Sequence, residues 1–278
     1  MPVNLTCNNE VLSLDKPSVM GILNVTPDSF SDGGSFTRVD QSLAQAEQMI
    51  SAGASIIDIG GESTRPGAKD VSEKDEIARV IPVLKAIKQR FNVIVSIDTS
   101  KANVMKEAIE HDAGMINDVR ALQNEGCLTA VAQSNVAVCL MHMQGLPRTM
   151  QISPSYDDLI KDIQQFFEAR IIACESAGIL KRRLLLDPGF GFGKTLDQNY
   201  QLLAQMKKFH TLQLPLLAGL SRKSMIGNLL NRQTDERLAG SLTTAIIAAQ
   251  QGAKIIRVHD VKETVDALKI LEKVSSCR

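Results

Sequence analysis

Short apolar runs alternate with amphipathic stretches along almost the whole chain of 278 residues, and this alternation constrains the fold more than any other feature. The first apolar run covers residues 19–23 and the last covers residues 253–258. Such runs predict buried strands, and amphipathic stretches with a period of about 3.6 residues predict helices. Eight strand–helix units follow one another, which predicts parallel strands joined by helical crossovers.

Eight consecutive units favour a closed barrel over an open, doubly wound sheet. A (β/α)8 barrel, or TIM barrel, typically needs about 250 residues, so residues 1–278 are interpreted as a single α/β barrel domain. The first predicted strand lacks the G-x-G-x-x-G sequence that follows the first strand of dinucleotide-binding sheets. Two additions are predicted: a short N-terminal hairpin over residues 3–14 that plugs one end, and an extra helix over residues 223–231 after the seventh strand.

Composition argues against several classes of function. The chain has 31 basic and 31 acidic residues, so no charge excess favours nucleic acid or membrane binding. Its five cysteines are widely spaced and form no C-x-x-C pair, which predicts a reducing compartment and neither a zinc site nor a disulfide framework. The N-terminal residues lack a secretory signal pattern, and no run approaches the roughly 20 apolar residues of a membrane span. We therefore expect a cytoplasmic location.

Polar residues follow all the predicted strands at the point where each strand ends. The carboxyl ends of barrel strands meet at one rim, where the active sites of this fold are built. A single polar residue before a helix is often only a cap, but a ring that includes every strand predicts a site. The ring consists of Asn24, residues 61–67, Asp98 with Thr99, Asn117 with Asp118, His142, Asp187, Ser221 with Arg222 and Lys223, and Arg257 with His259 and Asp260.

This ring combines positive charge with planar hydrogen-bonding groups. Asp98, Asn117 and Asp187 carry planar groups that can pair with the N–H and C=O edges of a flat nitrogen heterocycle. Cationic groups beside them suit a phosphate or diphosphate. The positive charge and hydrogen-bond donors come from Arg65, Arg222, Lys223, Arg257 and His259. Because Arg257 and His259 are two residues apart, an extended strand places both side chains on one face.

Residues 187–195, DPGFGFGKT, resemble a phosphate-binding loop of the form G-x-x-x-x-G-K-[ST]. Pro188 occupies the position of the first glycine, and proline has no N–H to donate to a phosphate. We therefore do not interpret this loop as an ATP site. Its glycines are expected to let the backbone pass close to a flat ligand held by Asp187. The adjacent ring member His142 fits a pocket wall as well as a hydrogen-bond donor.

Six segments of the chain carry a distinctive set of motifs: GILNVTPDSFSDGG (21–34), DIGGESTRPGA (58–68), IDTSK (97–101), DPGFGFGK (187–194), SRKSMIG (221–227) and IIRVHDVKE (255–263). Together these segments resemble the dihydropteroate synthase family. They keep the family's order, and no site position departs from its pattern. The pterin-binding methyltransferase domains share the pterin ring, but the T-P-D-S-F-S-D-G-G and S-T-R-P-G loops together favour the synthases.

The resemblance implies a homodimeric, sulfonamide-sensitive transferase of folate biosynthesis. Such an enzyme condenses 6-hydroxymethyl-7,8-dihydropterin diphosphate with 4-aminobenzoate, releases diphosphate and uses Mg²⁺, for which Asn24 is the implied ligand. Pterin diphosphate binding is implied for Asn24, Thr64, Asp98, Asn117, Asp187, Lys223, Arg257 and His259, with Met141 and Phe192 as walls. The implied 4-aminobenzoate site consists of Phe30, Ser63, Thr64, Arg65, Pro66 and Ser221. The implied catalytic residues are Arg257, His259 and Lys223.

The implied reaction needs little covalent catalysis. Loss of diphosphate would leave a delocalised pterin cation, and Arg257 with His259 would stabilise the negative charge that departs. The aniline amine is a neutral nucleophile, so it needs positioning more than a base. We expect dissociative, ordered catalysis with pterin diphosphate bound first, and Asp28 and Asp32 are candidates for late Mg²⁺ contact. Two alternatives stay open: a corrinoid-linked methyltetrahydrofolate methyltransferase domain and a non-catalytic pterin-binding paralogue.

Overall fold

The computed structural model describes residues 4–26, 35–63, 70–145 and 154–277. Within these ranges, eight parallel strands close into a barrel surrounded by helices, which confirms the predicted (β/α)8 fold. The strands are β1 (Asn4–Cys7), β2 (Glu10–Ser13), β3 (Ser18–Asn24), β4 (Ile56–Gly60), β5 (Ile94–Asp98), β6 (Met115–Asp118), β7 (Ala137–Met141), β8 (Leu184–Asp187), β9 (Leu216–Ala218) and β10 (Ala253–Val258). The barrel runs from β3 to β10 in chain order, and β10 pairs with β3.

Helices follow the strands along the chain. They are α1 (Ser35–Ser51), α2 (Glu73–Arg90), α3 (Ala102–Glu110), α4 (Cys127–Ala132), α5 (Leu159–Ser176), α6 (Leu196–Gln205), α7 (Ser224–Leu230), α8 (Leu238–Gln250) and α9 (Val261–Ser275). The extra helix predicted after the seventh barrel strand is α7, which lies between β9 and α8. In the described ranges, we find no helix that combines the length and the apolar composition required to cross a membrane.

The predicted N-terminal hairpin is formed by the antiparallel strands β1 and β2. Its buried side chains join the inward-facing side chains at the amino ends of the barrel strands in one apolar cluster, so the hairpin plugs that end as expected. We call this set the floor cluster. It comprises Leu5, Cys7, Leu12, Leu14, Met20, Ile56, Ile94, Met115, Ala137, Cys139, Leu185, Leu217 and Ile255.

A second and larger apolar cluster lies between the strands and the helices. Successive strand residues point to opposite faces: Ile56 belongs to the floor cluster, whereas Ile57 belongs to the outer one. On the helical side, α2 contributes Val80 and Leu84, both fully buried. Buried on both faces, the strands read as nearly continuous apolar runs, which is typical of parallel sheets.

Local sequence explains several helix boundaries. Ser72 caps α2 by accepting from the Asp75 N–H at 3.1 Å, and Thr195 begins α6 with a capping box. One expected cap is wrong. The sequence predicts that Ser100 caps α3, but this helix begins two residues later, and the Ser100 hydroxyl donates to Asp118 Oδ1 at 2.5 Å. The buried Asp118 carboxylate needs donors, and this need outweighs the local helix cap.

The register of the strands sets the layout of the rim. Asn24 lies opposite Gly60, Gly60 lies opposite Asp98, and Asp98 lies opposite Asn117. On the other side of the barrel, Met141 lies opposite Asp187. Parallel strands in register therefore bring the predicted polar residues to the same end of the barrel.

Candidate active site

The guanidinium of Arg257 occupies the centre of the rim. It reaches inward from β10 and donates from Nε to Asp58 Oδ2 at 2.6 Å and from Nη2 to Asp98 Oδ2 at 2.8 Å. Burial by itself would lower the pKa of Arg257, but the two carboxylates raise it above its usual value. The side chain is therefore a fixed cation that joins β10 to β4 and β5.

Asp58 belongs to this centre, although sequence reasoning did not select it. It lies inside β4, is fully buried, and accepts from Asn117 Nδ2 at 3.3 Å as well as from Arg257. Its other oxygen, Oδ1, has no hydrogen-bond partner in the described ranges. The available signal was an acidic residue inside an apolar run, since aspartate is rarely buried without a partner.

Asp98 ends β5 beside this pair. Burial raises its pKa to about 7; Arg257 opposes that rise, whereas Asp58 and the more distant Asp118 and Glu76 add to it. The carboxyl therefore changes charge near neutral pH. In its ionised form it can accept two parallel N–H bonds from one edge of a heterocycle.

Asp187 and Lys223 form the opposite side of the centre. Asp187 ends β8 and accepts from the Gly189 N–H at 2.8 Å; burial raises the pKa of this carboxyl, and Lys223 opposes the rise. Burial lowers the pKa of Lys223 to about 8, although Asp187 acts in the other direction. Lys223 Nζ contacts the Phe190 carbonyl and lies 4.6 Å from the centroid of the Phe192 ring. A flat ligand held here would meet both a cation and an aromatic wall.

Ser221 and His259 form a hydrogen-bonded pair at the ends of β9 and β10. Ser221 Oγ lies 3.0 Å from His259 Nδ1, and the His259 backbone N–H donates to Ser221 Oγ at 3.2 Å. The resemblance places these residues in different substrate sites, 4-aminobenzoate for Ser221 and diphosphate for His259. The structure thus brings into direct contact two residues to which the resemblance assigns different substrates.

Two charged ring members do not point toward the central carboxylates. Arg222 donates from Nε to Asp260 Oδ2 at 3.0 Å, and a second contact joins the same guanidinium to Asp260 Oδ1. The Arg222 backbone N–H donates to Ser241 Oγ at 2.9 Å. Arg222 and Asp260 thus pair with each other, and the expectation that Arg222 adds positive charge to a phosphate site stays a prediction.

The lysine of the glycine-rich loop is structural. Lys194 is buried and its Nζ donates to the carbonyls of Gly189 at 2.8 Å and Phe192 at 3.1 Å. It also lies 3.1 Å from His142 Nδ1, and burial lowers the pKa of His142 to about 2 with Lys194 adding to the effect. These contacts occupy the ammonium within its own loop, and the expectation from Pro188 that this loop is not an ATP site stays a prediction.

Two of the loop glycines pack tightly against the loop that follows β7, and the expected role of the loop glycines beside a flat ligand stays a prediction. A Cβ on Gly189 would lie 1.9 Å from the His142 carbonyl oxygen, and one on Gly193 would lie 2.4 Å from the Gln144 carbonyl oxygen. Both residues also have positive φ, +73° and +62°. A side chain at either position would separate this loop from the one that follows β7.

Several predicted residues lie outside the described ranges. These are Asp28, Phe30, Asp32, Thr64, Arg65 and Pro66. At the rim, Asn24 is the last residue of β3, and Ser63 follows the end of β4 by three residues. No cluster of three or more His, Cys, Asp or Glu side chains suited to a metal ion occurs among the described residues. The Mg²⁺ ligand that the resemblance implies among the described residues is the amide oxygen of Asn24.

Comparison with known proteins covers most of the chain. Residues 20–259 match the family model described as "Pterin binding enzyme". The dihydropteroate synthase of Escherichia coli (strain K12) is 57% identical over 267 residues, which are 96% of this chain and 95% of that protein. This level of identity over nearly the whole length is far above what a shared fold alone would require.

Solved structures agree with this match. The Yersinia pestis dihydropteroate synthase with a sulfonamide drug complex is 58% identical, has a TM-score of 0.94, and covers 98% of this chain and 99% of its own. The Xanthomonas albilineans dihydropteroate synthase with 4-aminobenzoic acid is 49% identical, has a TM-score of 0.93, and covers 99% of both chains. These relatives are synthases, which favours the synthase over the methyltransferase alternative.

Proposed function

This chain belongs to the dihydropteroate synthases, and we propose that its barrel rim condenses 6-hydroxymethyl-7,8-dihydropterin diphosphate with 4-aminobenzoate. The products are 7,8-dihydropteroate and diphosphate. The observation that supports this function most directly is the buried centre in which Arg257 is shared by Asp58 and Asp98 and faces Asp187 and Lys223. Such a centre can hold a flat heterocycle and a polyanion side by side.

The pterin is proposed to bind Asp98, Asn117, Asp187 and Lys223. The two carboxyl groups accept ring N–H groups, whereas the Asn117 amide and the Lys223 ammonium donate to ring carbonyl or nitrogen atoms. Asn117 and Asp187 are buried, whereas Asp98 and Lys223 are partly exposed. Hydrogen bonds to the two buried groups form in a medium of low dielectric constant, where they are stronger. Phe192 and Met141 provide the apolar walls.

The diphosphate is proposed to bind Arg257 and His259, together with Asn24 and with Thr64, whose role rests on the family resemblance. Because Arg257 Nη2 donates to Asp98, a diphosphate oxygen has to compete with that carboxylate. Asp58 holds Nε on the other side of the guanidinium at 2.6 Å, so the head group can turn toward the leaving group without losing both partners. When the bond between the pterin carbon and the diphosphate oxygen breaks, negative charge grows on the departing diphosphate. These donors stabilise that charge.

Mg²⁺ is proposed as the cofactor. It keeps several waters and binds through one or two protein oxygens plus substrate phosphates, which fits a rim where Asn24 offers an amide oxygen and the described residues form no carboxylate cage. When bound, Mg²⁺ would neutralise part of the diphosphate charge. All other steps fall to the side chains of the chain itself.

The carbon–nitrogen bond is proposed to form after diphosphate has begun to leave. The ionised carboxylates Asp98 and Asp187 favour positive charge on the pterin, and the amine of 4-aminobenzoate attacks as a neutral nucleophile from a distance of about 3–3.5 Å. Ser63 and Ser221 are the described members of the proposed 4-aminobenzoate site; Phe30, Thr64, Arg65 and Pro66 are assigned to it by resemblance. Since Ser221 contacts His259, bound diphosphate can complete the second site, which predicts ordered binding.

Assembly, domain content and location are proposed from the family and the composition. We propose a homodimer of one barrel domain per chain, located in the cytoplasm. Analytical ultracentrifugation tests the first part, because a sedimentation coefficient of a single 30.3 kDa chain at working concentrations would contradict it.

One assay tests the function. The purified protein is mixed with pterin diphosphate, 4-aminobenzoate and Mg²⁺, and dihydropteroate and diphosphate are expected in equal amounts. Absence of both products from a folded protein would refute the synthase. Calorimetry tests the order, because 4-aminobenzoate bound at full affinity without diphosphate would refute it.

A further inference from the structure

Lys101 joins three elements of the rim at a site away from the central carboxylates. It follows β5 by three residues, and its Nζ lies 2.6 Å from Glu62 Oε2 and also contacts Glu76 Oε2. Glu62 follows β4, and Glu76 lies in the first turn of α2. A single ammonium therefore ties the loop after β5 to the loop after β4 and to the helix that follows it.

Glu62 extends this connection along the chain. Its other oxygen, Oε1, accepts from the Val71 N–H at 2.8 Å, so one carboxylate holds the backbone on both sides of residues 64–69. The preceding residue is fixed as well, because the Gly61 carbonyl accepts from Arg79 Nη1 at 2.9 Å. A Cβ on Gly61 would lie 2.7 Å from Val80 Cγ2, which shows how closely this backbone packs on α2.

Charge keeps Lys101 in place. Glu76 is fully buried, and its Oε1 has no hydrogen-bond partner in the ranges that the structure describes. Burial lowers the pKa of Lys101, but hydrogen bonds and charge from Glu62 and Glu76 outweigh this and raise it. A buried carboxylate that lost its cation would be strongly destabilised, so the ammonium cannot leave this position at low cost.

We propose that Lys101 is a positioning residue that couples the pterin-binding strand end at Asp98 to the 4-aminobenzoate site at Ser63, acting through Glu62. The inference rests on the proposed function, which assigns the two substrates to Asp98 and Ser63. Lys101 touches neither substrate in this assignment. It sets the distance between two neighbouring loops, and it gives a physical route by which an occupied pterin site favours the second substrate.

Glu62→Gln is the primary test, because glutamine has one acceptor oxygen for two donors and can keep only one of the two hydrogen bonds. We expect the KM for 4-aminobenzoate to rise about tenfold, the factor that corresponds to one lost charge-assisted hydrogen bond. The KM for pterin diphosphate should stay within about twofold. Lys101→Arg should retain most of the wild-type behaviour, since it preserves the cation, whereas Lys101→Met should not.

Lys88→Met is the matched control. Lys88 Nζ lies 3.0 Å from Glu10 Oε2, and the side chains in that pair are 21% and 23% exposed, close to the 20% and 28% of Lys101 and Glu62. The pair joins α2 to the hairpin at the other end of the barrel, so its loss should change neither KM. Equal rises in both KM values for Glu62→Gln, or a KM change in Lys88→Met of the same size and selectivity, would overturn the proposal.

Hydrogen exchange separates this proposal from the proposed function and from unfolding. The Val71 amide should exchange faster than in the wild type in Glu62→Leu, which removes both acceptor oxygens, and in Lys101→Met, and at the wild-type rate in Lys88→Met. Unchanged Val71 exchange in both Glu62→Leu and Lys101→Met would overturn the positioning role whether or not the protein makes dihydropteroate. If Lys101→Met does not fold, the double variant Lys101→Met/Glu76→Gln removes the unpaired carboxylate, and it should show the same rise in Val71 exchange.

Discussion

The floor and the rim of the barrel are built from the same strands. On a given strand, the rim residue lies two positions after the floor residue. Because inward-facing positions recur with a period of two, the apolar floor residue of a strand is followed by a polar rim residue one layer higher. Ile56 is followed in this way by Asp58, Met115 by Asn117, Leu185 by Asp187, and Ile255 by Arg257.

This difference shows how the barrel stabilises charged groups at a buried site. The hairpin residues seal the floor, so water does not reach the carboxylates from below and the dielectric constant around them is low. In such surroundings an isolated charge is very unfavourable, but a hydrogen-bonded ion pair is tolerated. Arg257 supplies that pairing for Asp58 and Asp98 at once. We therefore expect floor variants to change stability alone and rim variants to change chemistry.

Arg257→Ala should have the largest effect, because it removes the shared cation of the rim. We expect kcat to fall about 10³-fold and the free energy of unfolding to fall by about 3 kcal/mol, since Asp58 is left buried and unpaired. Steady-state kinetics and urea unfolding measure the two effects. The control is Arg90→Ala, whose partner Glu47 lies 3.4 Å away in an exposed pair; it should change stability by less than about 0.5 kcal/mol. An unaltered kcat in Arg257→Ala would remove this residue from the leaving-group role.

Leu5→Ala tests the opposite end. Leu5 is fully buried in the floor cluster, so the cavity should reduce the free energy of unfolding by about 3 kcal/mol. The kinetic constants should stay unchanged at temperatures where the variant is folded. Val11→Ala, in the same hairpin but 65% exposed, is the control and should be close to neutral. A loss of pterin affinity in folded Leu5→Ala would show that floor and rim are not independent.

Asp187→Asn separates chemistry from stability within the rim. Asparagine keeps an oxygen for the Gly189 N–H but cannot accept a second ring N–H as a carboxylate does. Pterin affinity should fall about 100-fold, with thermal unfolding little changed. Calorimetry measures the affinity, and Asp197→Asn, an exposed acid in the first turn of α6, is the control. Wild-type affinity in Asp187→Asn would refute its role as a pterin anchor.

The smallest expected effect is a bell-shaped pH dependence of pterin affinity. Below about pH 7 Asp98 is protonated and loses its capacity to accept two N–H bonds, so affinity should decline on the acid side. Above about pH 8 Lys223 loses its charge, so affinity should decline on the alkaline side as well. Each limb should change affinity by at most about tenfold per pH unit. The floor has no comparable group: burial raises the pKa of Cys7 to about 12.

Asp98→Asn identifies the acid limb, which should disappear in this variant. The free energy of unfolding should depend on the titration of Asp98 in the opposite direction to pterin affinity. Because the pKa of Asp98 is raised on folding, the folded state binds the proton more tightly than the unfolded state does, and this contribution to stability is lost as the pH rises toward about 7. A wild-type acid limb in Asp98→Asn would assign that limb to another group.

Local pattern predicted most of the rim. Asp98, Asn117 and Asp187 directly follow apolar runs, and the parallel register brings their strand ends together as expected. Pro188 argues against a phosphate-binding loop, and the lysine of that loop, Lys194, donates to carbonyls of the loop itself. The assignments that rest on the resemblance alone, such as Ser63 and Asn24 as ligand-binding residues, remain predictions, and those of Phe30, Thr64, Arg65 and Pro66 lie outside the described ranges.

The expected helix cap failed because Ser100 was assigned from its neighbours in sequence. The Ser100 hydroxyl donates to Asp118, which is 18 residues away. Arg222 likewise pairs with Asp260, which is 38 residues away, a contact that no local pattern indicates. In both cases the partner comes from another strand end.

The sequence by itself determined the alternation of strands and helices, the apolar floor and the positions at which polar residues leave each strand. These properties depend on periodicity, which is local. Only the tertiary structure decided which charges meet: Asp58 became part of the site because barrel closure brings it to Arg257, 199 residues later in the chain. A buried ion pair requires both partners within hydrogen-bond distance, and that distance is set by closure of the barrel rather than by any local pattern.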